Sequence, residues 1–324
     1  MYADSRIYDS ERLKWKLMAE YKDRKLEELI EGEENGNDEG TFFLLKNEFD
    51  MDMELPDAKI SEDVIKSDFQ LISGIGTKTE EKLNNDGYAD MSQLYDDEKY
   101  CSRIEPILNE LEERNLISLQ KRIERWHSRN HTCCYHLMGY TEPEDILFFD
   151  IETMGLKYRP LFLIGVGSFN DGKYLIKQYF ARNLNEERAV IKAFLDELNK
   201  HRYLASFNGR SFDSRFIKER MELHGLRGDL DLPHFDILHM SRNIWDVPLP
   251  NHKLTTLEKH LLNIERENDV SSAMVPHFYK IYLEKKNPGP VLPILEHNKQ
   301  DIFTLVLLLN ELGRLHGRSA SEQP

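Results

Sequence analysis

Alternation and periodicity divide the chain before any single residue is considered. Residues 10–31 place Leu13, Leu17, Leu26 and Leu29 among charges at helical intervals, which predicts one amphipathic helix. The run EGEENGNDEG that follows is acidic and glycine-rich, and is expected to be a loop or disordered linker unable to build a core. TFFLLKNEF then reads as a short strand and ELPDAKISEDVI as a connection. Residues 67–94, SDFQLISGIGTKTEEKLNNDGYADMSQL, have the pattern of helix, Gly-Ile-Gly turn, helix and a second turn at Asp86-Gly87. Residues 103–131 continue as helix.

From Asp145 the pattern changes. EDILFFDIET, PLFLIGVGSF and KYLIKQYFA predict three strands, the last two joined at Asn170-Asp171-Gly172, a strong hairpin signal. NEERAVIKAFLDELNK reads as an amphipathic helix, YLASFN as a buried strand, and SRFIKERMELHG as a helix stopped by Gly225. HFDIL is a further strand. Helices follow through TTLEKHLLN and SSAMVPHFYKIYLEKK, and PILEHNKQDIFTLVLLLNELGRL closes the chain as a long one. Antiparallel strands followed by alternating helices and strands predict an α/β fold, a mixed sheet flanked by helices with a smaller, mainly helical N-terminal region.

Composition limits the alternatives. A chain of 324 residues, 40% hydrophobic and 31% charged, is expected to be soluble and large enough for two units. Its apolar runs are too short to span a bilayer and MYADSRIYDS is polar, so a cytoplasmic protein with no membrane partner is expected. Three cysteines, two of them adjacent, do not form a disulfide framework. The net charge of -15 argues against nucleic acid only until its distribution is read. Residues 1–66 hold 10 basic and 19 acidic side chains, which leaves 33 and 39 for the rest.

Two glycines around one apolar residue let the backbone reach positive φ while Ile75 tucks between helices. The amides opening TKTEEKL then point outward, where they can hold a phosphate. This segment resembles the helix-hairpin-helix family on Gly74, Ile75, Gly76 and Lys78, which implies a grip on the nucleic-acid backbone without base specificity. Lys121, Arg122, Arg125 and Arg129 recur at near-helical spacing beside Trp126, either a solvated face or a phosphate-contacting stripe. His127, His131, Cys133, Cys134 and His136 crowd the next residues. Adjacent cysteines are poor co-ligands, no CxxC occurs and nothing downstream completes a set, so no zinc site is expected there.

Alternation puts Asp150 and Glu152 on one face of their strand, where two like charges repel unless a cation neutralises them. Asp213 in SFNGRSFDSRF and Asp301 in HNKQDIFTLVLL have suitable surroundings, and His297 precedes Asp301 by one helical turn. Four carboxylates and a histidine suit two Mg²⁺ or Mn²⁺ ions in phosphodiester hydrolysis.

DIET, FNGxxFD and HNxxD in this order resemble the DEDD 3′–5′ exonuclease superfamily on the ribonuclease H-like fold, in particular the YprB-like predicted exonucleases, over roughly residues 145–315. The resemblance implies that Asp150 bridges both ions, Glu152 and Asp301 complete the first site, Asp213 serves the second, and His297 deprotonates or orients water. It further implies that Asn208 contacts the substrate strand or braces its loop. Asp236 is expected to support the site from behind. The usual histidine subclass has four residues between His and the last Asp; here there are three, which leaves base and positioner both open for His297.

The expected organisation is an acidic region over 1–66, a helical region over 67–140 with the helix-hairpin-helix at 67–94, and the ribonuclease H-like domain over 141–318. The expected partner is DNA or RNA, with single-stranded ends preferred. A structure-selective endonuclease and a non-cleaving nucleic-acid-binding scaffold are the alternatives.

Overall fold

The computed structural model describes residues 2–242 and 249–321, so residues 243–248 of the expected 141–318 domain lie outside the described residues. Helix α1 (Tyr2–Glu20) is followed by β1 (Glu33–Asn37), β2 (Gly40–Asp50) and α2 (Ala58–Ser67). Next come α3 (Thr77–Asn85), α4 (Cys101–Glu112), α5 (Leu116–Trp126) and α6 (Thr132–His136). Strands β3 (Ile146–Thr153), β4 (Leu161–Asn170) and β5 (Lys173–Phe180) lead to α7 (Glu187–Leu198), β6 (Tyr203–Ser206) and α8 (Asp213–His224). The chain ends with β7 (His234–Asp236), α9 (Ile237–Ser241), α10 (Leu254–Leu257), α11 (Val275–Lys285) and α12 (Leu292–Ser321).

These elements fall into two compact units. The first holds residues 1–53, 144–236 and 249–309; the second holds 54–143, 237–248 and 310–324. In the first unit, and among the described residues, the strands form one sheet in the order β1-β2-β5-β4-β3-β6-β7. Pairs β3–β4 and β4–β5 are antiparallel, as the hairpin signal predicts; Asp171 and Gly172 take positive φ in the turn. Strands β6 and β7 extend the sheet in parallel from β3.

The N-terminal segment departs from expectation. EGEENGNDEG is no linker: Glu33–Asn37 is an edge strand paired with β2, and β2 pairs with β5 along Phe43 to Asp50. Backbone ladder bonds do not depend on side-chain polarity, so an acidic, exposed edge strand is stable once a neighbour supplies the pairing. That pairing places residues 1–53 with the sheet, whereas 54–66 belong to the helical unit. The amphipathic segment read over 10–31 is helical to Glu20 and stops where Asp23 adopts φ 61. ELPDAKISEDVI is likewise more than a connection: Asp57 accepts from the amides of Lys59 and Ile60 at 2.9 Å and caps α2.

Two faces of β3 carry different work. Leu147, Phe149 and Ile151 enter the main apolar core, where Phe149 meets Phe194 of α7 with ring centroids 5.5 Å apart. Phe148, Asp150 and Glu152 share the opposite face by alternation. Phe148 lies edge-on to Tyr174, whose hydroxyl donates to Ile302 O of α12 at 3.1 Å. Close approach of α12 needs two glycines in β4. A Cβ at Gly165 would sit 2.2 Å from Asn298 Oδ1, and one at Gly167 would sit 2.0 Å from the Tyr174 hydroxyl.

In the helical unit the expected helix ahead of the Gly-Ile-Gly turn is a single 3-10 turn over Phe69–Leu71. Asp68 caps it, and it ends after one turn because Ile72 takes extended backbone, φ -80 and ψ 120, on the way into Gly74. The helix read over 103–131 is broken at Arg114, φ 51, between α4 and α5.

Candidate active site

Asp150, Glu152, Asp213, His297 and Asp301, from β3, α8 and α12, line one cavity of about 630 Å³ together with Asn208, Phe207, Phe212 and Leu156. Each element fixes its residue by a different device. Asp150 lies opposite Gly165, and through that gap Asn298 Nδ2 donates to Asp150 Oδ2 at 2.9 Å. Gln178 holds Asn298 in turn, donating to its Oδ1 at 2.9 Å. Strand β6 runs beside β3 only to Phe148, so the Ile151 amide is left for Asp213 Oδ1, which accepts it at 3.2 Å.

The turn into α8 is braced from behind. Asn208 stands at φ 66, its amide donates to Asp236 Oδ1 at 2.8 Å, and the Gly209 amide donates to Ser206 Oγ at 3.1 Å. A side chain at 209 would collide with Ser206 Oγ at 2.3 Å and approach Asp213 Oδ2 at 3.2 Å. The Asn208 side chain is exposed at the cavity, while Asp236 is buried behind it.

Electrostatics in the cavity are dominated by crowded, buried acids. Burial first, then the charges of Asp301, Asp213 and Glu152, hold the Asp150 carboxyl well above its usual range. Burial pushes Glu152 up to about 8, with the His297 charge opposing it. Asp213 is raised to about 7 by burial, against the hydrogen bonds it accepts. Groups with this profile bind protons, or a cation, more tightly than free carboxylates. The donor set is hard oxygen, which fits Mg²⁺ or Mn²⁺.

Asp269, Arg266 and Glu258, which no motif marks, complete the surroundings of His297 and Asp301. His297 Nδ1 lies 2.7 Å from Asp269 Oδ1 and 3.2 Å from Arg266 Nη1. A carboxylate can only accept and a guanidinium only donate, so one tautomer cannot satisfy both; the shorter contact assigns the Nδ1 proton to Asp269. His297 Nε2 then faces the acids, 3.6 Å from Asp301 Oδ2 and 3.9 Å from Glu152 Oε1. Burial opposes its charge, yet Asp301, Asp269 and Glu152 together lift it to about 10. Arg266 reaches Asp301 Oδ1 at 2.5 Å and is held by Glu258 at 2.7 Å, with Glu258 only 1% exposed. Asn298, the second residue of HNxxD, had a sequence signal; Asp269 and Arg266 lie in a segment without periodicity, and Glu258 lies in TTLEKHLLN, where local spacing marks no partner across the fold.

Gly74, Ile75, Gly76 and Lys78 belong to the helical unit. Ile75 is buried, and the other three are exposed. Gly74 has φ 84, and Arg103 Nη1 donates to Ser73 O at 2.8 Å beside it. Gly76 caps α3 without a side-chain bond; the Thr79 amide donates to Gly76 O at 2.9 Å, and the Thr77 and Lys78 amides ahead of it take no cap. Lys121, Arg122, Arg125 and Trp126 line a separate cavity of about 360 Å³, with Arg122 paired to Glu110 at 2.7 Å.

A mixed sheet with a helix laid across it, and acids gathered between strand and helix, defines an α/β protein of ribonuclease H-like class. The chain belongs to the RNase_H superfamily, whose RNase_H_2 family profile matches residues 147–313. It is 28% identical over 197 residues to the uncharacterized protein YprB of Bacillus subtilis (strain 168), covering 59% of this chain and 47% of that protein. The chain therefore spans about half the length of this relative. Among solved structures it is similar to the family B DNA polymerase of Pyrobaculum calidifontis, at 16% identity and a TM-score of 0.40, over 55% of this chain and 27% of the polymerase. Superfamily membership supports a nucleic-acid hydrolase in general. No described helix is long and apolar enough to cross a membrane.

Proposed function

We infer that the protein is a metal-dependent nuclease, a 3′–5′ exonuclease acting on single-stranded ends of DNA or RNA. The observation that carries this reading is the convergence of Asp150, Glu152, Asp213, Asp301 and His297 on one cavity. Two divalent cations held by the four carboxylates would neutralise the charge developing on the attacked phosphate. Asp150, Glu152, Asp213 and Asp301 would hold these ions, which would activate the attacking water and stabilise the leaving oxygen.

The chain's own residues do the rest. Asn298 fixes the Asp150 carboxylate, and Asp236 fixes the Asn208 turn from which Asp213 projects. Asp269 holds the His297 ring with Nε2 toward the acids, the orientation required to align a water, or to accept its proton once bound cations offset the acids that keep the ring protonated. Phe207, Phe212 and Leu156 give the cavity an apolar wall on which unpaired bases can stack, which supports single strands over duplex. Gly74, Ile75, Gly76 and Lys78 would hold backbone phosphates through the open amides of α3.

An end-labelled oligonucleotide with Mg²⁺ or Mn²⁺ should shorten from its 3′ end, and Asp150→Asn should abolish the shortening. Cleavage of covalently closed single-stranded circles would replace this reading with an endonuclease. Binding without metal-dependent cleavage on any DNA or RNA substrate would leave only a scaffold.

A further inference from the structure

The histidine and cysteine cluster after α5 lacks a ligand in the sequence that follows it, but the fold brings one from upstream. Asp68 caps the 3-10 turn at Phe69–Leu71: its Oδ1 accepts the Gln70 amide at 3.0 Å, which fixes the carboxylate. Oδ2 is then the meeting point of three donors. His127 Nε2 lies 2.7 Å from it, Cys133 Sγ 3.6 Å and His131 Nε2 3.8 Å.

These groups are largely withdrawn from water. The Asp68 and His127 side chains are each 9% exposed, Cys133 is 1% exposed, and His131 is at 31%. The two imidazoles stack with centroids 3.8 Å apart and 9° between their planes, and both Nε2 atoms lie within 4 Å of Asp68 Oδ2. His127 Nε2 stands at ion-pair distance from Oδ2, 2.7 Å, though it makes no hydrogen bond there.

We propose that Asp68, His131 and Cys133 form a binding site for a zinc-class divalent transition metal, with His127 at the fourth position. Ligand atoms of Asp68, His131 and Cys133 all lie within 4.8 Å of one another. Bonds of roughly 2.0–2.3 Å in a tetrahedral site place neighbouring ligand atoms about 3.3–3.8 Å apart. The Cys133 and His131 separations from Oδ2 fall within that range; His127 must withdraw by roughly half an ångström and turn out of its stack on His131, because an ion lies in the plane of each imidazole that binds it. Coordination through His131 Nε2 puts the proton on Nδ1 and gives up the weak 3.4 Å contact from the Cys133 amide.

A thiolate and imidazoles select zinc over magnesium, which separates this site chemically from the all-carboxylate cavity. Its role would be structural. It ties the end of α5, which carries the basic stripe, to the turn that leads directly into Gly74-Ile75-Gly76.

The test uses the full chain, expressed with zinc and freed of loosely bound ions by gel filtration. Elemental analysis should find about one zinc per chain, and cobalt exchanged into the site should give a thiolate-to-cobalt charge-transfer band. Cys133→Ser and Asp68→Asn should lose the zinc, and Cys133→Ser should lose the band. Asp150→Asn and Cys101→Ser should retain both. A folded wild-type chain, judged by circular dichroism, that gives no thiolate band would overturn the proposal whatever the variants do. So would a Cys133→Ser chain that keeps its zinc.

Discussion

Replacing Glu152 by glutamine should destroy cleavage and yet make the metal-free protein more stable at alkaline pH. Burial raises the Glu152 carboxyl from 4.5 to about 8, so its charge is unfavourable in the folded chain. For a carboxylate raised in this direction the folded state binds the proton more tightly than the unfolded one. The penalty is therefore absent below the unfolded pKa, grows as pH rises, and is complete above the folded one. His297, lifted to about 10, acts in the same sense: its contribution is present below about 6.5 and is lost as pH passes 10.

The shift of Glu152 corresponds to at most about 5 kcal/mol at full ionisation. Glutamine also removes one of the charges that favour protonated His297, which returns part of the gain. A net stabilisation of roughly 2–4 kcal/mol is expected near pH 9 and under about 1 kcal/mol near pH 5. At the sheet unit's size this is a rise in Tm of roughly 5–10 °C at the higher pH. Thermal unfolding in EDTA, followed by circular dichroism at both pH values, measures it. A variant no more stable than wild type near pH 9, or equally stabilised at both pH values, would refute the reasoning. Added Mn²⁺ should raise the wild-type Tm more at high pH than at low, because the cation replaces protons the acids have by then lost.

Other outcomes follow from individual contacts. His297→Ala should lower turnover while sparing metal binding measured by calorimetry; unchanged turnover would remove His297 from the chemistry. Asp269→Asn removes a hydrogen bond and a charge that raise His297, so its titration midpoint by NMR should fall from about 10, with turnover reduced. Gly165→Ala drives a methyl into Asn298 and should cost about 1–3 kcal/mol in denaturant melts. Its activity should fall further than its stability accounts for, since Asp150 loses its anchor. Lys78→Glu and Arg125→Glu should weaken oligonucleotide binding and flatten its salt dependence, each by roughly one ion released, without altering kcat.

Local pattern in the chain was enough to read the strands of the sheet unit and to single out the acids that its cavity gathers. Alternation in LFFDIET fixed a strand with Asp150 and Glu152 on one face, and Asp171-Gly172 could only turn. Motif spacing named Asp213, His297 and Asp301, because side-chain chemistry at short intervals is written directly in the chain. What local pattern could not show was pairing across distance. The acidic edge strand Glu33–Asn37 exists because β2 pairs with β5, a ladder indifferent to side-chain polarity. Asp269 and Arg266 come to His297 and Asp301 from an irregular segment with no period to read, and Glu258 from a helical turn whose distant partners no local spacing names. Asp68 meets His131 and Cys133 through a fold contact that no sequence interval encodes. Such partners depend on where backbone elements stop and turn relative to one another, and only the tertiary structure decides that.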